Sequence, residues 1–201
     1  LSARYTKALA RSMANTKQVR AANVVNNGFN AAYTGGDGVP LFSDAHPLVS
    51  GGTNSNTQDT PADLSETSLE NAVIQIAAWT DERGLKIASR GMKMIIPSAL
   101  QFTAERLMES KGRTGTADND INAIVSMGMV PQGYRVNNYL TDADAFYILT
   151  DVPNGMKMFN RAPLTTAMEG DFDTGNVRYK ARERYSFGVS DPRGIFGVEG
   201  V

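Results

Sequence analysis

The sequence predicts an α+β protein built on two long bars, and three observations carry that expectation. Residues 176–190 alternate almost without a slip, with Val177, Tyr179, Ala181, Tyr185, Phe187 and Val189 on one parity and Arg178, Lys180, Arg182 and Arg184 on the other, the mark of a two-faced β-strand. Residues 3–32 contain no proline and one glycine, Gly28, in an alanine-rich run that reads as a single long helix. Between them lies ordinary α/β periodicity. The strand at about 3.3 Å per residue and the helix at about 1.5 Å would each reach on the order of 45 Å. One bar laid across the other makes an elongated module with much surface for its mass.

In the opening helix Tyr5, Leu9, Met13 and Thr16 share one side, opposite Arg4, Lys7 and Arg11, which is amphipathic spacing. Residues 34–64 read as loop, because Gly35, Gly36, Gly38, Pro40, Pro47, Gly51, Gly52 and Pro61 break any regular element. Thr67 and Glu70 then have capping-box spacing ahead of a stripe of Leu69, Ala72, Val73, Ile76 and Ala77 that should stop near Gly84. Residues 92–96 read as a strand closed by Pro97, and Ser98 as the cap of a helix carrying Leu100, Phe102, Leu107 and Met108. A third helix is expected over 119–127, then strands over 134–139 and 145–150 with 141–144 turning between them. Residues 156–166 should pair with the long basic strand through a turn over 169–175, where Gly175 supplies a positive φ. Residues 37–152 and 191–201 thus read as a compact α/β unit inserted into an elongated one of residues 1–36 and 153–190; no internal repeat is found.

Bulk properties narrow the function. The 201 residues are 41% hydrophobic, enough for a core, and 20 basic against 21 acidic residues leave a net charge of −1, which argues against strong non-specific nucleic-acid binding by the whole chain. Charge is unevenly placed, since Arg4, Lys7, Arg11, Lys17 and Arg20 precede the first acid, Asp37. The chain lacks cysteine, so disulfides and thiolate metal sites are excluded and a reducing cytoplasm fits. No apolar run approaches a membrane span, and no signal peptide is visible. A start at Leu1 rather than methionine points to processing or to a missing amino-terminal part.

Several blocks resemble major capsid proteins of tailed bacteriophages and prophages: Asp37-Gly38, Pro40-Leu41-Phe42-Ser43 and His46-Pro47; Phe102-Thr103-Ala104-Glu105-Arg106; Asp118-Asn119-Asp120-Ile121-Asn122; and Glu169-Gly170-Asp171-Phe172, Tyr185-Ser186-Phe187-Gly188 and Asp191-Pro192-Arg193-Gly194. Their succession covers most of the chain. The resemblance implies the Hong Kong ninety-seven capsid fold, in which a peripheral domain of long spine helix and long β-hairpin carries an axial α/β domain. It further implies a structural subunit of the virion shell, assembled in the host bacterial cytoplasm as hexamers and pentamers. Neighbouring subunits would be its partners, with portal, scaffold or decoration proteins and packaged double-stranded DNA as further ones. The amino-terminal arm and extended loop of that family are missing from this sequence. A protein nanocompartment of the encapsulin kind is the alternative within the same fold.

Chemistry is weakly signalled. Ser43, Asp44 and His46, the only histidine, suggest a hydrolase on paper, but neighbours in one proline-flanked loop rarely converge as a triad, and a histidine bonded to backbone is the better reading. Asp171, Asp173 and Gly175 hint at a calcium loop that lacks its terminal carboxylate, Arg182 standing there. Asp118 and Asp120 suit the first turn of a helix. Trp79 and the methionines at 92, 94, 127 and 129 fit core packing. No catalytic, cofactor or metal site is expected. The candidate subunit-interface residues are Arg4, Lys7 and Arg11 on the helix, Lys111 and Arg113 in the small, glycine-containing loop 111–117, and Arg178, Lys180, Arg182 and Arg184 on the strand. For the strand face three readings stand: a solvated edge that blocks strand pairing, pairing with acids of an adjacent subunit, or contact with packaged DNA.

Overall fold

The computed structural model describes residues 2–113, 120–170 and 173–201. Helix α1 spans Ser2–Asn26, about 37 Å at the helical rise, and ends six residues short of the expected limit. Tertiary packing sets that end: a Cβ on Gly28 would lie 2.4 Å from the Phe42 ring, so the chain turns there to seat Phe42 rather than continue helically. The loop beyond forms one small ladder, β1 (His46–Pro47) with β2 (Thr53–Asn54).

Helix α2, Glu66–Ala78, is capped by Ser65 and Ser68 acting reciprocally, not by Thr67 and Glu70 as the spacing suggested. The Ser68 hydroxyl also donates to the Asp63 carbonyl, so a short serine serves where a glutamate was expected. The helix stops at Trp79 rather than near Gly84, the Trp79 indole N–H donating to the Ser55 carbonyl at 2.7 Å. Strand β3 is Gly91–Ile96. A 3-10 turn, Ser98–Leu100, leads into α3, Gln101–Glu109, without a side-chain cap from Ser98. Ala104 and Leu107 face inward, whereas Phe102 is 73% exposed, against the expected stripe. Helix α4, Ala123–Met127, starts at an Asn122 cap and ends on left-handed Gly128; the expected start at residue 119 lies outside the described residues. Met127 is exposed while Met94 is wholly buried. The remaining strands are β4 (Tyr134–Val136), β5 (Phe146–Thr150), β6 (Met156–Gly170), β7 (Val177–Val189) and β8 (Ile195–Val198).

Four strands make a mixed sheet in the order β4-β3-β5-β8, with β3 and β4 parallel and the other pairs antiparallel. Alternation along its strands splits the core in two. Met94, Ile96, Phe146, Ile148, Phe196 and Val198 meet Leu69, Ala72, Ile76, Trp79, Leu107 and Ile124 on one side. Tyr147 and Ile195 meet Val25 and Phe42 on the other. There Phe29, Phe42 and Tyr147 pack with ring centroids 4.7 and 5.3 Å apart. This aromatic cluster fastens the last turn of α1 to the sheet.

Strands β6 and β7 form a separate two-stranded hairpin. It is longer on the β6 side than expected, and its register shifts between Asn160 and Thr165, around Pro163, which has no N–H to give to a ladder. The hairpin base meets the sheet where Gly155 and Gly194 cross, so closely that a Cβ on Gly194 would sit 2.2 Å from the Gly155 Cα.

Candidate assembly surface

The hairpin arm is held to α1 over its inner half. Lys17 Nζ lies 3.2 Å from Glu183 Oε2 and 5.0 Å from the Tyr185 ring centre, and Tyr185 packs edge-on against Phe187. Between helix and hairpin runs an open groove of about 780 Å³ bordered by Met13, Arg20, Phe159, Arg161 and Tyr185. On the far side of α1, the Tyr139 hydroxyl donates to Asn15, and Asn26 bonds the Tyr139 carbonyl and the Thr141 N–H.

The outward parity of β7 carries Arg178, Lys180, Arg182 and Arg184, all exposed. Their cross-strand partners are Glu169, Ala167, Thr165 and Ala162 in turn. Small neutral neighbours therefore flank the last three cations, and only Arg178 faces an acid across the ladder. Tyr5 is 59% exposed, so the apolar stripe of α1 is covered only from Leu9 inward. Arg4, Lys7 and Arg11 occupy exposed positions on the same outer part of the helix. Met158, Phe159, Leu164, Met168 and Val177 leave large apolar side chains open along the hairpin.

Lys111 is exposed. Arg113 pairs within the chain, its Nε 2.8 Å from Glu66 Oε2, and that hydrogen bond raises its pKa; the contact ties it to α2. Residues 114–117 of this loop, like Asp118 and Asp171, lie outside the described residues.

His46 is 4% exposed and bonded on both nitrogens, Nδ1 2.6 Å from Asp37 Oδ2 and Nε2 3.1–3.2 Å from Asn56 Oδ1 and the Leu41 carbonyl. Its acid is Asp37, not Asp44, and the Ser43 hydroxyl accepts the Ala45 N–H instead of approaching the ring. The residues named on paper as a hydrolase do not assemble into one. Sequence reasoning missed Asn56, which is fully buried and donates to the carbonyls of Leu41, Pro192 and Ile195. It also missed the reach of Arg193, which bonds Asp191, Glu82 and the Thr80 carbonyl and has its pKa raised, chiefly by the Asp191 hydrogen bond. A polar residue amid glycines and prolines gives no periodic signal, so only its neighbours' proximity could have revealed it. Among the described residues no cluster of three potential metal ligands occurs, and no helix is long and apolar enough to cross a membrane.

The described residues thus join a long helix and a long hairpin to a mixed sheet. A family model described as phage capsid protein matches residues 1–198, and the chain belongs to that family, a structural one. Its fold is similar to that of a chain from Mycobacterium phage Che8 (17% identity, TM-score 0.53), covering 96% of this chain and 61% of that one. The capsid of Myoviridae phage XM1 matches at 14% identity and TM-score 0.53, over 100% of this chain and 65% of the other. A phage-related protein from Bordetella bronchiseptica RB50 matches at 14% and 0.52, over 99% and 64%. The chain thus spans less than two thirds of the length of these three structures. No curated protein matches the sequence.

Proposed function

We propose that this chain is the shell-forming part of a major capsid protein of the Hong Kong ninety-seven type, a subunit that encloses the phage genome and performs no reaction. One observation carries the reading. The chain exposes 12448 Å², whereas a compact monomer of its mass would expose about 9,200 Å². The excess of about 3,000 Å² is what a subunit with extensive permanent interfaces leaves open when isolated from its neighbours. Large apolar side chains stand uncovered on Tyr5 of α1 and on Met158, Phe159, Leu164, Met168 and Val177 of the hairpin, and also on Ile74, Phe102 and Met127 beside the sheet.

In this reading α1 is the spine helix, residues 1–36 and 153–190 are the peripheral domain, and residues 37–152 and 191–201 the axial domain. Heterologous contacts repeat around a ring and close hexamers and pentamers, and small changes of angle at the Gly155–Gly194 crossing adapt one subunit to both. Loop 111–117 meets its symmetry mates near the ring axis, and Arg4, Lys7 and Arg11 face neighbours along the spine. The virion is the resulting location, with assembly in the host cytoplasm and with portal, scaffold and DNA as attendant partners. Expression of the full-length protein followed by electron microscopy tests this. Closed icosahedral shells of megadalton mass are expected, and a protein that remains monomeric at assembly concentrations contradicts it.

A further inference from the structure

Lys180, Arg182 and Arg184 are exposed on one face of β7 and, among the described residues, make no ion pair. Alternate residues of a strand stand about 6.6 Å apart, so with Arg178 the cations form a straight ladder of about 20 Å. Their cross-strand neighbours are Ala167, Thr165 and Ala162, too short to neutralise them. The same chain carries a complementary patch at one end of the four-stranded sheet, just before β5 and just after β8. Asp144 and Glu199 are both exposed there, brought together where Gly200 packs against Asp144. Neither carboxylate has an ion pair among the described residues.

We infer that the basic face of β7 docks on the Asp144 and Glu199 patch of a second copy of this chain. The inference rests on the shell reading above and names the surfaces that meet. Charge complementarity supplies one argument, since Lys180, Arg182 and Arg184 have no acid opposite them in the ladder and Asp144 and Glu199 have no ion pair among the described residues. The geometry supplies another: two different patches joined head to tail make the heterologous contact that closes a ring. Polyanion binding fits less well. Glu169 stands on the same face opposite Arg178, and Phe159, paired with Ser186 beside Arg184 where this face borders the α1 groove, leaves an aromatic ring 55% exposed. Arginine with an exposed aromatic is the composition of a protein interface, and two carboxylates can seat on Lys180, Arg182 and Arg184 alone, whereas a polyanion running the length of the ladder meets Glu169.

The test is a charge exchange in the full-length protein, with assembly followed by light scattering and folding checked by thermal melting. Lys180→Glu, Arg182→Glu and Arg184→Glu together should slow assembly by at least about ten-fold, as should Asp144→Lys with Glu199→Lys. Combining both sets should restore the rate to within about three-fold of the unaltered protein, because the pairs re-form with opposite polarity. Glutamine at the three β7 positions, which keeps the strand's alternation, should weaken assembly in the same direction and covers the case of a reversed variant that fails to fold. Normal assembly by the reversed hairpin, or no recovery in the combined variant, overturns the pairing. Shells that form normally but retain less DNA overturn it in favour of nucleic acid. If the unaltered protein forms no particles, the shell reading itself fails, an outcome distinct from these.

Discussion

Asn56 holds the glycine-rich loop to the sheet through five polar contacts, three donated to carbonyls and two accepted by its own oxygen from the Ser43 N–H and the His46 ring. Buried carbonyls stripped of a donor cost about 1–3 kcal/mol each where water cannot replace it. Asn56→Ala should therefore lower unfolding stability by about 2–4 kcal/mol, read as a shift of the urea midpoint; a loss below about 1 kcal/mol would show that the contacts are dispensable. Tyr147 predicts an alkaline limit. Burial first, then the charges of Asp142 and Glu199, raise its pKa above the ordinary tyrosine value. Below about pH 10 the unfolded chain's phenol is neutral too and the contribution to stability is present in full; as pH rises beyond that the unfolded state gains a phenolate the folded state resists, and stability falls. Tyr147→Phe should leave stability at pH 7 within about 1 kcal/mol and flatten the decline above pH 10 in denaturant titrations. An unchanged decline would assign alkaline unfolding to other groups.

The arm depends on the fit of α1 to β7, and the Lys17–Glu183 pair that anchors it is partly buried, with the Glu183 side chain 7% exposed. Lys17→Met strands that carboxylate and should cost about 1–3 kcal/mol, whereas pairing it with Glu183→Gln should recover most of the loss in a double-mutant cycle. Equal losses in the single and double variants would mean that the ion pair contributes nothing specific. The hairpin was legible because period-two alternation over a dozen residues has no competing helical reading, and the amphipathic run announced α1. Its end was not legible, because Gly28 stops the helix only by admitting the ring of Phe42, a contact between segments. Strand β8 escaped notice for a related reason. Ile195, Phe196, Gly197 and Val198 are all buried, so no alternation survives, and the strand's outer side is sealed by the Gly197 N–H bonding the Asn56 carbonyl. The Ser65–Ser68 cap and the exposed Phe102 likewise follow from packing that local spacing does not encode. Of the surface residues, the β7 ladder was readable from parity alone, while Arg113 needed the neighbouring helix to reveal its partner.

As a molecule the chain joins a well-packed sheet to an arm whose outer half has little to rest on. The covered part is the junction, where Phe29, Phe42 and Tyr147 pack together and Gly155 meets Gly194; Gly194→Ala should disrupt it, because backbone atoms rather than a flexible side chain occupy the space. The uncovered part is the surface on which an assembly would be built, and membership of the phage capsid protein family gives that exposure a purpose. Backbone hydrogen exchange of residues 156–189, compared between dissociated subunits and assembled particles of the full-length protein, tests this most directly. Strong slowing of exchange along the hairpin on assembly, with little change in the buried strand Phe146–Thr150, is the predicted result. Equal exchange of the hairpin in both states would contradict the account, because an arm that other copies do not cover could not be what joins them.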